Sequence, residues 1–277
     1  KQTVENCAKQ LLTIKVLMKK ILSLAVVCCM LVVSAMAQNY EVKRSDASMV
    51  AVHLESNQPK FESVDILGSS FYSISMKGFE VAGEVGSPAL PAMTKLMEIP
   101  ICSEITFELS NIVADTLDGA MLGCQGAVAP FQPSRRKSDH STPVLSKNNH
   151  VYATNAFVGK DLISVEKIGI ARSRNLASFC FSPVQYNPVT NQFIIVKSVD
   201  VTFRFAGADM AATNELKNRY ASQTFGAGIS TINAIPFTKE ASFAGQAPVH
   251  YLIVAHSSFR GELDSLIAWK QKKGVMT

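Results

Sequence analysis

A period of two constrains this chain more than any other feature. In Val199-Asp200-Val201-Thr202-Phe203-Arg204-Phe205 the apolar side chains fall on alternate residues, so an extended backbone places all four on one face. Similar runs recur between about Tyr40 and Phe205: Val50 to Leu54, Phe71 to Met76, Ile105 to Leu109, Leu162 to Ile170, Ala177 to Phe181 and Phe193 to Val196. Turn formers separate them at Gly78, Gly83, Gly86-Ser87-Pro88, Asp118-Gly119, Pro183 and Asn187 to Asn191. Short strands at near-regular spacing, with no helical stretch between them, predict an all-β sandwich over residues 40–206.

Two departures from this pattern matter. Pro130 to His150 (PFQPSRRKSDHSTPVLSKNNH) is polar, basic and proline-interrupted, which predicts a long exposed loop of the kind that carries function or disorder. Residues 207–249 are rich in Ala, Ser, Thr, Asn and Gly and read as a linker, with one short helix near Asn214 to Ala221. Beyond it, Tyr251-Leu252-Ile253-Val254-Ala255 is a continuous apolar run, expected of a strand buried on both faces of a parallel sheet. Phe259, Leu263, Leu266, Ile267 and Trp269 then form one helical stripe up to Lys273, with Gly274 as a C-terminal cap. Val275-Met276 reads as the opening of a further strand. The fold class is therefore mostly β, followed over 250–277 by the first strand-helix unit of an α/β domain.

The N-terminal region reads as an export sequence. Met18-Lys19-Lys20 is a basic segment, Ile21 to Val33 an apolar one, and Ser34-Ala35-Met36-Ala37 supplies small residues for cleavage between Ala37 and Gln38. Residues 18–37 are thus a signal peptide and 1–17 an upstream extension. A run of this length is too short for a stable membrane span. Cys28 is preceded by Val27 rather than a small residue, which argues against a lipid-modified cysteine. The expected destination is the extracellular space or the outer-membrane surface.

Residues 1–37 also account for most of the net charge of +5: they hold five lysines and one acid, leaving 22 basic and 21 acidic residues. No field remains to steer nucleic acid. Cys102, Cys124 and Cys180 follow the signal peptide, an odd and widely spaced set that suits buried small side chains with at most one disulfide. There is no phosphate loop, no HExxH and no zinc spacing, so metal and nucleotide chemistry have no support in this segment.

Several stretches resemble the propeptides of the gingipain cysteine peptidases. They are Gly83-Glu84-Val85-Gly86-Ser87-Pro88-Ala89-Leu90-Pro91-Ala92, Phe157-Val158-Gly159, and Pro183-Val184-Gln185-Tyr186-Asn187-Pro188-Val189-Thr190-Asn191-Gln192 running into FIIV. Leu252-Ile253-Val254-Ala255 with Ala268-Trp269-Lys270-Gln271-Lys272-Lys273-Gly274 is similar to the first strand and helix of the peptidase itself. The likeness runs in order from about Val50 to Thr277, nearer to the lysine-specific than to the arginine-specific members.

The resemblance implies a secreted zymogen with a caspase-like catalytic domain, whose His/Cys dyad belongs beyond Thr277. Calcium, if the parent enzyme uses it, would also bind there. None of Cys102, Cys124 and Cys180 matches the nucleophile, and His256 reads as a loop histidine, so this segment should not cleave peptides. A prodomain of this kind covers the active-site cleft of its own catalytic domain and places a basic side chain in the specificity pocket. Here the candidates are Lys137 first, then Arg136 and Arg135, in Ser134-Arg135-Arg136-Lys137-Ser138-Asp139. A processing peptidase would cut at Lys239, with Arg219 as the alternative. Read without the family, the basic triplet is a solvated charge run or a cleavage site. The chain would then be a secreted β-sandwich module binding protein or glycan, although its one tryptophan lies on the helix and offers no sheet-face platform. A degraded precursor yielding no active peptidase is a third reading.

Overall fold

The computed structural model describes residues 39–102, 104–220, 228–235 and 251–274. The chain divides into two compact units, Lys1–Phe237 and Thr238–Thr277. In the first, the alternating runs become strands β1 (Tyr40–Ser45), β2 (Met49–Glu55), β3 (Lys60–Ile66), β4 (Ser69–Ser75), β5 (Glu80–Ala82), β6 (Leu90–Ile99), β7 (Glu104–Asp118), β8 (Ile163–Ala171), β9 (Arg174–Phe181), β10 (Val184–Asn187) and β11 (Gln192–Ala206). One sheet runs β1-β2-β11-β10, with β7 along the other side of β11; a second runs β5-β6-β9-β8; β3 and β4 form a separate hairpin.

The sandwich core follows directly from the period of two. Val199, Val201 and Phe203 are fully buried and Phe205 nearly so. They pack with Val50, Val52 and Leu54 of β2 against Met93, Met97, Phe179 and Phe181 of the second sheet. Phe179 and Phe203 meet across the two layers with ring centroids 5.3 Å apart. Burying each such side chain contributes about 1.5–3 kcal/mol. A second cluster joins Ile74 and Met76 to Val184, Tyr186 and Phe193, with Tyr186 and Phe193 stacked at 4.6 Å.

The runs at Phe193 and Val199 prove to be one 15-residue strand. The first half of β11 pairs with β10 and the second half with β2, while β7 follows it from end to end. At Lys197-Ser198 the ladder with β7 bulges and then resumes, while the unbroken ladder with β2 starts at Ser198, so the backbone runs through as one strand. β6 escaped the strand reading altogether. Pro91 suggests a turn, but it faces only Val81 of β5, and the ladder with β9 begins at Met93. A proline without a ladder donor is tolerated at that position.

Part of the expected linker belongs to the sandwich unit. Helix α2 (Met210–Tyr220) follows β11, and Thr213, Lys217, Asn233 and Ile235 are buried. Asn233 accepts from the Glu98 N–H and donates to its carbonyl, both at 2.9 Å. Buried Lys217 pairs with the Glu98 carboxylate, and Arg174 approaches the same carboxylate at 3.9 Å. Composition could not reveal this, because a polar stretch folds onto a body when that body offers it buried partners.

In the second unit, a short 3₁₀ turn at Ser257–Phe259 leads into α3 (Arg260–Lys272). Gly274 takes the left-handed conformation at φ 76 and its N–H returns to the Gln271 carbonyl at 2.9 Å, as the cap reading expects. The expected strand over Tyr251 to Ala255 is not formed: the segment is irregular, with Leu252 and Val254 85% and 88% exposed. A parallel strand exists only through ladder partners on its neighbours, and none is present among the described residues of this unit.

Candidate functional site

The basic loop projects from a tightly built neck. Glu84 to Ser87 make a turn closed by the Ser87 N–H on the Glu84 carbonyl at 3.0 Å. Gly86 adopts φ 87 there, and a Cβ on it would come within 3.0 Å of the Asn148 nitrogen, so only glycine fits. The Gly86 N–H donates to the Phe131 carbonyl at 2.8 Å, and its carbonyl accepts the Asn148 N–H at 2.9 Å. Entry and exit of the loop are thereby tied to one residue. Asn148 also accepts from the His150 and Val151 N–H groups, starting helix α1 (Asn149–Ala153). Just beyond, Gln132 and Ser146 bond reciprocally, Nε2 to the Ser146 carbonyl at 2.9 Å and the Ser146 N–H to Oε1 at 3.0 Å.

Above the neck the three basic residues separate into different roles. Arg135 turns back into its own loop. Its guanidinium donates to the Asp139 carboxylate at 3.2 Å, to the Asp139 carbonyl at 3.3 Å and to the Ser141 hydroxyl at 3.1 Å. The Ser141 hydroxyl, then the Arg135 guanidinium, hold the Asp139 carboxyl below the usual carboxylate range. The Asp139 N–H reaches the Arg136 carbonyl at 3.0 Å, closing a turn whose corners are Lys137 and Ser138. Arg136 and Lys137 are exposed.

The other expected site residues are scattered. Ala37, Gln38 and Lys239 lie outside the described residues. Arg219 sits exposed on the last turn of α2, not in irregular chain, because the residues before it pack on the sandwich. His256 caps the 3₁₀ turn, its Nδ1 accepting from the Ser258 N–H at 3.3 Å. Cys102, Cys124 and Cys180 are free. Burial pushes the Cys102 and Cys124 thiols above their ordinary values, the reverse of what a nucleophile requires. Sequence reading missed the Gln132, Ser146 and Asn148 contacts that build the neck. An Asn followed by a short apolar segment was a legible capping signal for the last of these.

A family model described as Propeptide_C25 matches residues 37–227. The chain belongs to that family. Lys-gingipain HG66 of Porphyromonas gingivalis is 31% identical over 238 residues, covering 85% of this chain. Lys-gingipain from strain W83 of that organism matches to the same extent. The chain spans 13% of the length of these relatives. Among solved structures, one reported as "Structural insight into zymogenic latency of gingipain K from Porphyromonas gingivalis" has a TM-score of 0.57 at 28% identity, covering 63% of this chain and 96% of that one. A complex of the pro- and mature domains of RgpB from the same organism shares the fold, with a TM-score of 0.53 at 16% identity over 62% of this chain and 87% of the other. The chain is thus a β-rich prodomain of the gingipain zymogen type.

Proposed function

We propose that this prodomain keeps the peptidase of its own precursor inactive by inserting Lys137 into the specificity pocket, and that it assists folding of that peptidase. The supporting observation is the placement of Lys137. It stands at the corner of an exposed turn, while its neighbour Arg135 is consumed by the loop's own Asp139 and Ser141. An acidic pocket takes a compact cation as readily from a propeptide as from a substrate. The bond after Lys137 lies inside a closed turn, a poor geometry for attack. Holding that turn on a rigid neck lowers the entropy lost on binding. Lysine at the tip implies a parent enzyme that cleaves after lysine.

The same reading takes residues 18–37 as a signal peptide cut after Ala37, directs the precursor outside the cell, and places the maturation cut at Lys239 by a processing peptidase. A chain of residues 38–277, added to a lysine-specific and an arginine-specific gingipain, tests the inhibitory role. Tight inhibition of the lysine-specific enzyme that falls by about a hundredfold, ~2.7 kcal/mol, in Lys137→Ala is the expected result. Unchanged inhibition moves the contact to Arg136, and absence of inhibition of either enzyme overturns the reading.

A further inference from the structure

Next to the loop neck lies a cleft of about 720 Å³. Its walls come from stretches that also carry the family resemblance: Glu84, Ser87 and Leu90 from one, Phe157, Val158 and Gly159 from another. Val158 fixes the second wall through paired backbone bonds with Tyr186 at 2.9 and 3.0 Å. Gly159, at φ 155, keeps that wall close to the body: a Cβ there would come within 3.2 Å of the Val184 carbonyl oxygen and 3.3 Å of Leu90. The lining is mixed, with Glu84, Lys160 and Asp161 beside apolar groups that stay open to solvent. Phe157, which lines the cleft, is 37% exposed, and Val85, between the lining residues Glu84 and Ser87, is 54% exposed.

We propose that this cleft, with Phe157 and the neighbouring Val85, forms a second docking site for the peptidase part of the same precursor, receiving an apolar projection of the enzyme beside the active-site mouth. The inference rests on the reading of the loop given above and extends it. Two constraints point to that occupant. Lys137 is five residues beyond Gln132, so even a fully extended chain lets it reach only about 17 Å from the neck. An enzyme that takes Lys137 into a recessed pocket must therefore bring its surface against the body around Gly86. A four-residue turn also buries far less than the ~800 Å² per partner of a stable interface, and an apolar rim at the neck supplies the difference where contact is unavoidable.

The test uses the 38–277 chain and a mature lysine-specific gingipain in two forms, one open and one with its active site closed by a covalent small inhibitor. Variants Val85→Glu and Phe157→Asp, each checked for an unchanged thermal midpoint, are compared with Lys137→Ala by interferometry. The expected result is that the parent chain still binds the closed enzyme. Either rim variant weakens that binding by about tenfold, ~1.4 kcal/mol, and Lys137→Ala leaves it within about twofold. Inhibition of the open enzyme without binding to the closed one overturns the rim site alone. So do two folded rim variants that bind like the parent. A parent chain that neither inhibits nor binds the open enzyme overturns the loop reading, and this inference with it.

Discussion

Gln132 and Ser146 lock together across the base of the basic loop, amide to backbone in both directions at 2.9 and 3.0 Å. The Gln132 amide also reaches the Pro130 carbonyl at 2.9 Å. One side chain thus joins both strands of the neck. Gln132→Ala should leave global stability within about 1 kcal/mol, because the site is only part-buried. Inhibition of a lysine-specific gingipain should nevertheless weaken by about tenfold, since the loop must then be ordered on binding. Thermal unfolding and inhibition constants measured on the same preparation check both halves.

Arg135 and Lys137, two residues apart, should respond to truncation to different degrees. Arg135→Ala removes the bonds to Asp139 and Ser141 and should loosen the tip without removing the inserted cation. Its loss of inhibition is therefore smaller than that of Lys137→Ala. A larger loss in Arg135→Ala than in Lys137→Ala would mean that Arg135, not Lys137, makes the contact.

Limited trypsin digestion should cut first after Arg136, on the exposed loop, ahead of the bond after Lys137 inside the closed turn. Arg219 should be cut later, because it lies on α2, whose buried Lys217 and Thr213 hold the helix to the body. Mass spectrometry of early fragments decides the order.

The Glu98–Lys217 pair predicts a large stability effect. Lys217→Ala leaves the Glu98 carboxylate, 1% exposed, with the distant Arg174 at 3.9 Å as its remaining cationic partner among the described residues, and should cost about 3 kcal/mol in denaturant unfolding. The double variant Glu98→Met with Lys217→Met should recover most of that loss, because a buried pair is often replaceable by apolar side chains.

His53 and Asp200 supply a pH signature. His53 Nδ1 lies 2.6 Å from Asp200 and Nε2 lies 3.2 Å from Glu55. The hydrogen bond to Asp200 raises the His53 pKa above 6.5, burial opposing it and Glu55 assisting. Asp200 is lowered by hydrogen bonds from Asn111 and then His53, with a smaller contribution from the Lys43 charge. A raised imidazole pKa adds stability that is complete below the unfolded value of 6.5 and disappears as pH rises through the folded value. Thermal midpoints of the parent should therefore fall relative to His53→Gln as pH climbs from 6 through that range. Parallel curves would remove the pair from the account.

Gly119 shows how little room the turns leave. Its N–H donates to the Asn191 carbonyl at 2.7 Å, and a Cβ would lie 2.4 Å from the Asn191 amide nitrogen and 2.7 Å from the Cys124 carbonyl oxygen. Asn191 itself donates to that carbonyl at 2.8 Å. Gly119→Ala should destabilise the fold by about 2 kcal/mol or more, measured by urea unfolding.

The sandwich was legible because its information is local. Alternation along β2, β9 and β11 selects one buried face per strand, whatever the pairing, and Gly274 or Asn187 to Asn191 specify turns through their own backbone preferences. The basic triplet and its polar loop were equally plain in the amino-acid order. Other features depended on partners far along the chain. Glu98 hides in β6 as a polar interruption until Asn233 and Lys217 arrive to satisfy it. Residues 207–249 read as linker, Thr213, Lys217 and Asn233 included, because a buried polar side chain and a solvated one look alike without the neighbour that bonds it. The apolar run at Tyr251 shows the converse: composition announces a strand, but a strand needs a ladder. The division of labour within Arg135-Arg136-Lys137 likewise emerged only when the loop closed on Asp139 and Ser141, since identical charge at adjacent positions carries no record of which way each side chain turns.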